Sequence, residues 1–173
     1  IRAEFLKNFD NLVQILSMEV HKPLSLARAE CERCVQTLEA TILWGKKLLD
    51  QEPAFEMRAK GSSFQGQSNL EGRKLSLALT PFNFPLNLSL HKIVPAILAG
   101  SPLIWRPSSK AQLSGLALID ILHAAKIPAG ILAFMPMKHD VFWKLLLDSR
   151  IEAVSFTGSA KVGWQLQEKF KGP

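Results

Sequence analysis

From Arg73 onward the chain keeps an alternation that few architectures can accommodate. Strand-like apolar runs stand at Lys74–Leu79, Leu103–Trp105, Ile131–Phe134 and Ala153–Phe156. Helix-period segments lie between and after them, at Leu86–Leu98, Gln112–Ala125, Lys138–Leu147 and Ala160–Phe170. Strands alternating with helices imply a parallel sheet joined by crossover helices. Such a sheet needs apolar cover on both faces. Its ligands bind beyond the carboxyl ends of the strands, so chemistry is expected in "TPFNFP", "WRPSS" and "FTGSAKVG".

The stretch before Arg73 has a different rhythm. Phe5, Phe9, Leu12, Val13 and Leu16 recur at helical steps and predict one helix from Ile1 to about Val20. Pro23 interrupts it. A second helix is expected over Leu24–Leu49, with Leu24, Ala27, Cys31, Cys34, Leu38, Ile42 and Leu49 as its apolar stripe. Phe55–Leu70 is polar and aperiodic, and reads as an exposed ribbon or long loop. The chain thus divides into leading helices (1–54), a ribbon or loop (55–72) and a parallel-sheet portion (73–173), with no internal repeat.

Composition narrows the function classes. Apolar residues make up 47% of the 173, enough for a core. No apolar run reaches the roughly 18 residues of a membrane span. The opening segment, which starts at Ile1, lacks the apolar centre of a secretion signal, so the sequence reads as an excerpt of a longer chain. The net charge of +6 is scattered, without a basic run interleaved with aromatics. An anionic small molecule is therefore the expected partner, with no nucleic acid and no membrane. Two cysteines offer no disulfide framework and fit a cytoplasmic setting.

The candidate motifs differ in weight. Cys31 and Cys34, three residues apart on a helix, read as core thiols, because His21, His91, His123 and His139 show no ligand spacing and no metal site is expected. In "FTGSAKVG" Gly158 permits a tight turn. Ser159 can cap the next helix, whose free amides and dipole attract an anion. The spacing is neither G-x-G-x-x-G nor a Walker loop, so an ordinary strand–helix turn stays open. Arg106 ends a strand and faces a ligand or simply solvent. Asn83, between two phenylalanines and fixed by Pro81 and Pro85, either aims its amide at an oxyanion or merely fills a turn.

Taken together and in order, these segments, with "IPAGIL" and "MEVHKPLSLARAECERC", resemble the aldehyde dehydrogenase superfamily from about Arg2 to Phe170. The resemblance implies a Rossmann-like, doubly wound α/β domain with preceding N-terminal helices, binding NADP or NAD and oxidising an aldehyde. It places Thr80, Pro81 and Phe82 near the nicotinamide, and Asn83 as oxyanion donor. It places Arg106, Ser108 and Ser109 at the adenosine ribose, and Gly158, Ser159 and Gly163 at the pyrophosphate. Phe55–Leu70 falls where the family carries its oligomerisation ribbon, which implies a homo-oligomer. The family's nucleophilic cysteine and glutamate base lie downstream of Pro173, so this chain alone is expected to be inactive. A non-catalytic binding or scaffold module is the rival reading. Arg106 stands where lysine is usual, Ser109 where glutamate is usual, and His21 where glycine is usual. "FMPMKHDVFW" lacks the family's glycines, and no adenine contacts are assigned there.

Overall fold

The computed structural model describes residues 1–49, 54–59, 62–67 and 71–172. Three helices lead: α1 (Arg2–Lys7), α2 (Phe9–Val20) and α3 (Leu24–Leu49). The single helix expected over Ile1–Val20 is broken at Asn8, whose φ/ψ of −101°/7° leaves the helical region. Its side-chain amide donates to the Glu4 carbonyl at 2.9 Å, a local bond that competes with helix continuation. The αL residue His21 then ends α2. β1 (Ala54–Ala59) and β2 (Ser62–Gln67) pair antiparallel within the stretch expected as an exposed ribbon or long loop.

The remainder is β3 (Ser76–Leu79), α4 (Pro85–Leu98), β4 (Leu103–Arg106), α5 (Gln112–Ala124), β5 (Leu132–Phe134), α6 (His139–Leu146), β6 (Ala153–Phe156) and α7 (Ala160–Lys169). The four strands lie in the order β5-β4-β3-β6, and every pairing is parallel. The chain runs outward from β3 through β4 to β5, then crosses back to place β6 on the other side of β3. That crossing makes a switch point between β3 and β6.

Strand pleating divides the core into two layers. Ala78, Leu103 and Trp105 join α1–α5 in one buried cluster. Leu77 and Leu79 turn the other way, onto Phe142 and Leu146 of α6 and Leu166 of α7. The sheet is therefore covered on both faces, as a parallel sheet requires. Trp105 is 1% exposed and donates its indole N–H to the Thr80 hydroxyl at 3.0 Å. Its ring meets Phe134 with centroids 5.1 Å apart. Gly115 lets α5 approach this pair, since a Cβ there would stand 2.7 Å from the Phe134 ring.

The α3 stripe holds only in part. Ala27, Cys31, Cys34 and Leu38 are buried, but Leu24 and Ile42 are more than half exposed. Glu30, which the periodicity does not single out, is 1% exposed.

Candidate functional site

Leu79 pairs with Arg106 on one side and Phe156 on the other, so β3, β4 and β6 end level. Beyond those ends lies a cleft of about 190 Å³. Its walls include Thr80 and Pro81 after β3, Arg106, Ser108 and Ser109 after β4, and Gly158 and Ser159 after β6. Seven residues singled out in sequence, from three separate motifs, thus meet at one place. Phe82, Asn83 and Gly163 are not part of this wall. Phe82 and Asn83 are exposed on the turn that leads into α4.

Which helix can take an anion is decided by what already occupies the helix starts. The Leu86 and Asn87 amides of α4 bond to Glu30 Oε1 at 2.9 and 3.2 Å. The Leu113 and Ser114 amides of α5 bond to Glu19 at 2.6 and 2.8 Å. Internal carboxylates therefore fill both N-termini, and an incoming phosphate would meet negative charge there. At α6 the first turn carries Asp140. At α7 it carries no acid, and Lys161 lies in it. Ser159 caps α7 by accepting from Val162 N at 3.4 Å, while the Ala160 and Lys161 amides have no partner among the described residues. The α7 terminus is the one that fits a pyrophosphate.

The glycines of this turn act through space rather than dihedral freedom. Gly158 is not among the residues with positive φ. A Cβ on it would lie 2.6 Å from the Phe156 ring, and one on Gly163 would lie 3.3 Å from the same ring. The turn expected to need Gly158 for its backbone instead needs it for packing: Phe156 sits under the turn, and both glycines make room for it.

Arg106 is half-buried, and burial lowers its pKa from the usual value. Its Nε donates to the Met137 carbonyl at 3.1 Å and its guanidinium lies 5.6 Å from the Phe142 ring centroid. These contacts fix the plane and leave the terminal nitrogens for an anion. The Thr80 hydroxyl accepts from Trp105 Nε1 and from Ser89 Oγ, so this side chain shapes the wall from behind. Ser108 Oγ accepts from Lys110 N at 3.3 Å, while Ser109 is exposed.

The structure adds His139, Phe142 and Trp143 to the wall. All three lie in "FMPMKHDVFW", where sequence reading assigned no contact. The available signal was positional: the segment follows β5 and opens α6, as the other site segments follow their strands.

The cysteines are not nucleophiles. Cys31 and Cys34 are fully buried. Burial, then the neighbouring Glu30 carboxylate, pushes the Cys31 thiol up to about 12 and raises that of Cys34 as well. Among the described residues no group of three or more His, Cys, Asp or Glu could hold a metal, and no helix is long and apolar enough to cross a membrane.

A β5-β4-β3-β6 parallel sheet with a cleft at its switch point, onto which the acid-free start of α7 opens, is the architecture of nucleotide-binding α/β domains. The sequence profile of the aldehyde dehydrogenase family matches residues 1–172, and the chain belongs to that family. It is similar to a lactaldehyde dehydrogenase of Methanocaldococcus jannaschii, with 33% identity over 92% of this chain and 34% of the relative. It is also similar to aspartate-semialdehyde dehydrogenase 1 of Pseudomonas canavaninivorans, with 34% identity over 86% of this chain and 32% of the relative. A crystal structure of glyceraldehyde-3-phosphate dehydrogenase from M. jannaschii complexed with NADP superposes with a TM-score of 0.84 and 30% identity. That match covers 99% of this chain and 38% of the other. The chain spans about a third of the length of these relatives.

Proposed function

We propose that the full-length protein oxidises an aldehyde to a carboxylic acid or acyl derivative with NADP or NAD, and that this chain supplies the cofactor cleft and one oxyanion donor. The observation that carries the reading is the state of the helix starts: α4 and α5 are closed by Glu30 and Glu19, and α7 opens on the cleft that Arg106 and Ser109 also line. The cofactor, when bound, accepts hydride from the substrate carbon. Gly158 and Ser159 hold its pyrophosphate at α7, Arg106, Ser108 and Ser109 hold its ribose, and Thr80, Pro81 and Phe82 border its nicotinamide. The described cleft is smaller than the roughly 300 Å³ at which small-molecule sites begin, so it seats part of a dinucleotide and further walls come from outside these residues.

Asn83 is the catalytic residue of this chain. Its side chain is exposed and has no hydrogen-bond partner among the described residues, so its amide N–H₂ is free to donate to a developing oxyanion. In the full-length protein Asn83→Ala lowers the acylation rate by about 10²–10³ and leaves cofactor affinity nearly unchanged. A collapse of cofactor affinity at an undiminished acylation rate refutes the assignment. The family's cysteine and glutamate belong downstream, and finding neither there favours the non-catalytic binding module. The β1–β2 hairpin serves oligomerisation, which its deletion and a sedimentation measurement test.

The substrate carries an anionic tail. A groove between α3 and α4 is lined by Arg33, Thr37, Asn87 and His91, with no acid among the described residues of its wall. Asn87 and His91 stand one turn apart on α4, and α4 begins two residues after Asn83, so the groove starts close to the oxyanion donor in sequence. Two of the similar proteins are named for aldehydes bearing a carboxylate or phosphate and one for the uncharged lactaldehyde, so the lining of the groove, not the names, supports this class. Arg33→Met raises KM for a semialdehyde acid by about tenfold and leaves an uncharged aldehyde of equal length unaffected. Equal effects on both substrates remove the tail assignment.

A further inference from the structure

Glu30 touches neither the cleft nor solvent, yet it holds a charge in the core. A buried carboxylate is costly unless it is paired and hydrogen-bonded. Its partners all concern one short segment. Oε1 accepts from Leu86 N and Asn87 N, and Oε2 meets the Lys22 ammonium. Lys22 in turn donates to the Asn83 carbonyl at 2.7 Å and stands 4.2 Å from the Phe84 ring centroid.

The first turn of α4 is thereby fully accounted for. Pro85 has no N–H, Leu86 and Asn87 are taken by Glu30, and Leu88 N reaches the Phe84 carbonyl at 3.0 Å. A helix cap alone explains Glu30. It does not explain Lys22, whose bond to Asn83 lies outside the helix. That bond holds Asn83, whose polar side chain has no hydrogen-bond partner among the described residues.

We infer that Lys22 and Glu30 are positioning residues for Asn83: the ion pair anchors the Asn83 backbone to α3, and so aims the side-chain amide at the oxyanion position. This rests on the reading of Asn83 as oxyanion donor. The pair forms no bond to the aldehyde and acts only through Asn83.

The test is a double-mutant cycle in the full-length protein, read by single-turnover cofactor reduction, cofactor dissociation constant and thermal melting. Lys22→Met lowers the single-turnover rate by about 10–100-fold, as expected for a misplacement near 1 Å, with the cofactor dissociation constant within about twofold. Lys22→Arg recovers most of the rate. In an Asn83→Ala background Lys22→Met costs no further rate, because both changes remove the same interaction. If Lys22→Met does not fold, Lys22→Met with Glu30→Gln removes both charges together and carries the same cycle. Rate losses that multiply independently overturn the inference, as does a loss of cofactor affinity equal to the loss of rate. A slow Asn83→Ala with a fast Lys22→Met removes the positioning role alone. A fast Asn83→Ala removes the oxyanion reading, and this inference with it.

Discussion

Ser109 stands where the family usually has glutamate, and the structure places it with Arg106 on one cleft wall. A glutamate there accepts from a ribose hydroxyl and repels a ribose phosphate. Serine removes the repulsion, and Arg106 offers a planar cation. One charge-assisted hydrogen bond is worth roughly 1.5–3 kcal/mol, or about tenfold or more in affinity. Titration of the full-length protein is expected to show NADP binding at least as tightly as NAD, and Ser109→Glu to reverse the order. Tighter NAD binding that Ser109→Glu leaves unchanged contradicts this. Cys31 yields a second residue-level expectation. Its thiol titrates at about 12, above the ordinary 9.0, because burial and Glu30 disfavour the thiolate. The native state therefore holds this proton more tightly than the unfolded chain. The stabilisation is complete below about 9 and fades as the pH rises toward 12. At pH 8 a disulfide reagent should leave both cysteines untouched in the native protein and label two after denaturation. Native labelling at unfolded-state rates runs against the buried placement.

At the level of elements, two carboxylates from the leading helices close the starts of the helices that follow β3 and β4. Glu19 accepts the Leu113 and Ser114 amides and the Ser114 hydroxyl. Losing it unpairs the first turn of α5. Glu19→Ala is expected to cost about 2 kcal/mol, seen as a fall of roughly 4–8 °C in melting temperature. Glu4→Ala, which breaks only a pair whose Lys7 is largely exposed, should change stability by less than about 0.5 kcal/mol. Equal losses from the two substitutions would show that the α5 cap carries no special weight. The leading helices thus do more than cover a sheet face: they occupy the starts of α4 and α5 and leave that of α7 open.

For the whole molecule the decisive fact is that its reactive-looking groups and the cleft at the strand ends are apart. The only thiols lie in the core, and the free amide of Asn83 lies outside the cleft wall. Incubation of the purified chain with NADP and a panel of aldehydes should give no cofactor reduction. Reduction that Cys31→Ser or Cys34→Ser abolishes would overturn this. The surface points the same way: Ile42, Leu43, Trp44 and Leu48 on α3 are each more than half exposed. A chain with such a patch should form oligomers or aggregates by itself, whereas a monodisperse, cooperatively melting monomer speaks against that.

Much of the architecture could be read directly from residue order. The four strands and the helices between them fall within two residues of their expected bounds, since period-2 and period-3.6 patterns are local properties. The three site motifs were legible for the same reason: each is a strand end followed by turn residues. Their convergence was decided by the crossing that sets β6 beside β3, which no local pattern encodes. The burial of Glu30 and the clasp of Lys22 on Asn83 were also set by tertiary structure, because a charge tolerates a core only when partners 56 to 61 residues away are folded onto it. The roles of Gly158 and Gly163 depend likewise on where the Phe156 ring comes to rest. Sequence fixes what each segment prefers, and packing then decides which termini stay open, which charges are held inside and which side chain is left free to react.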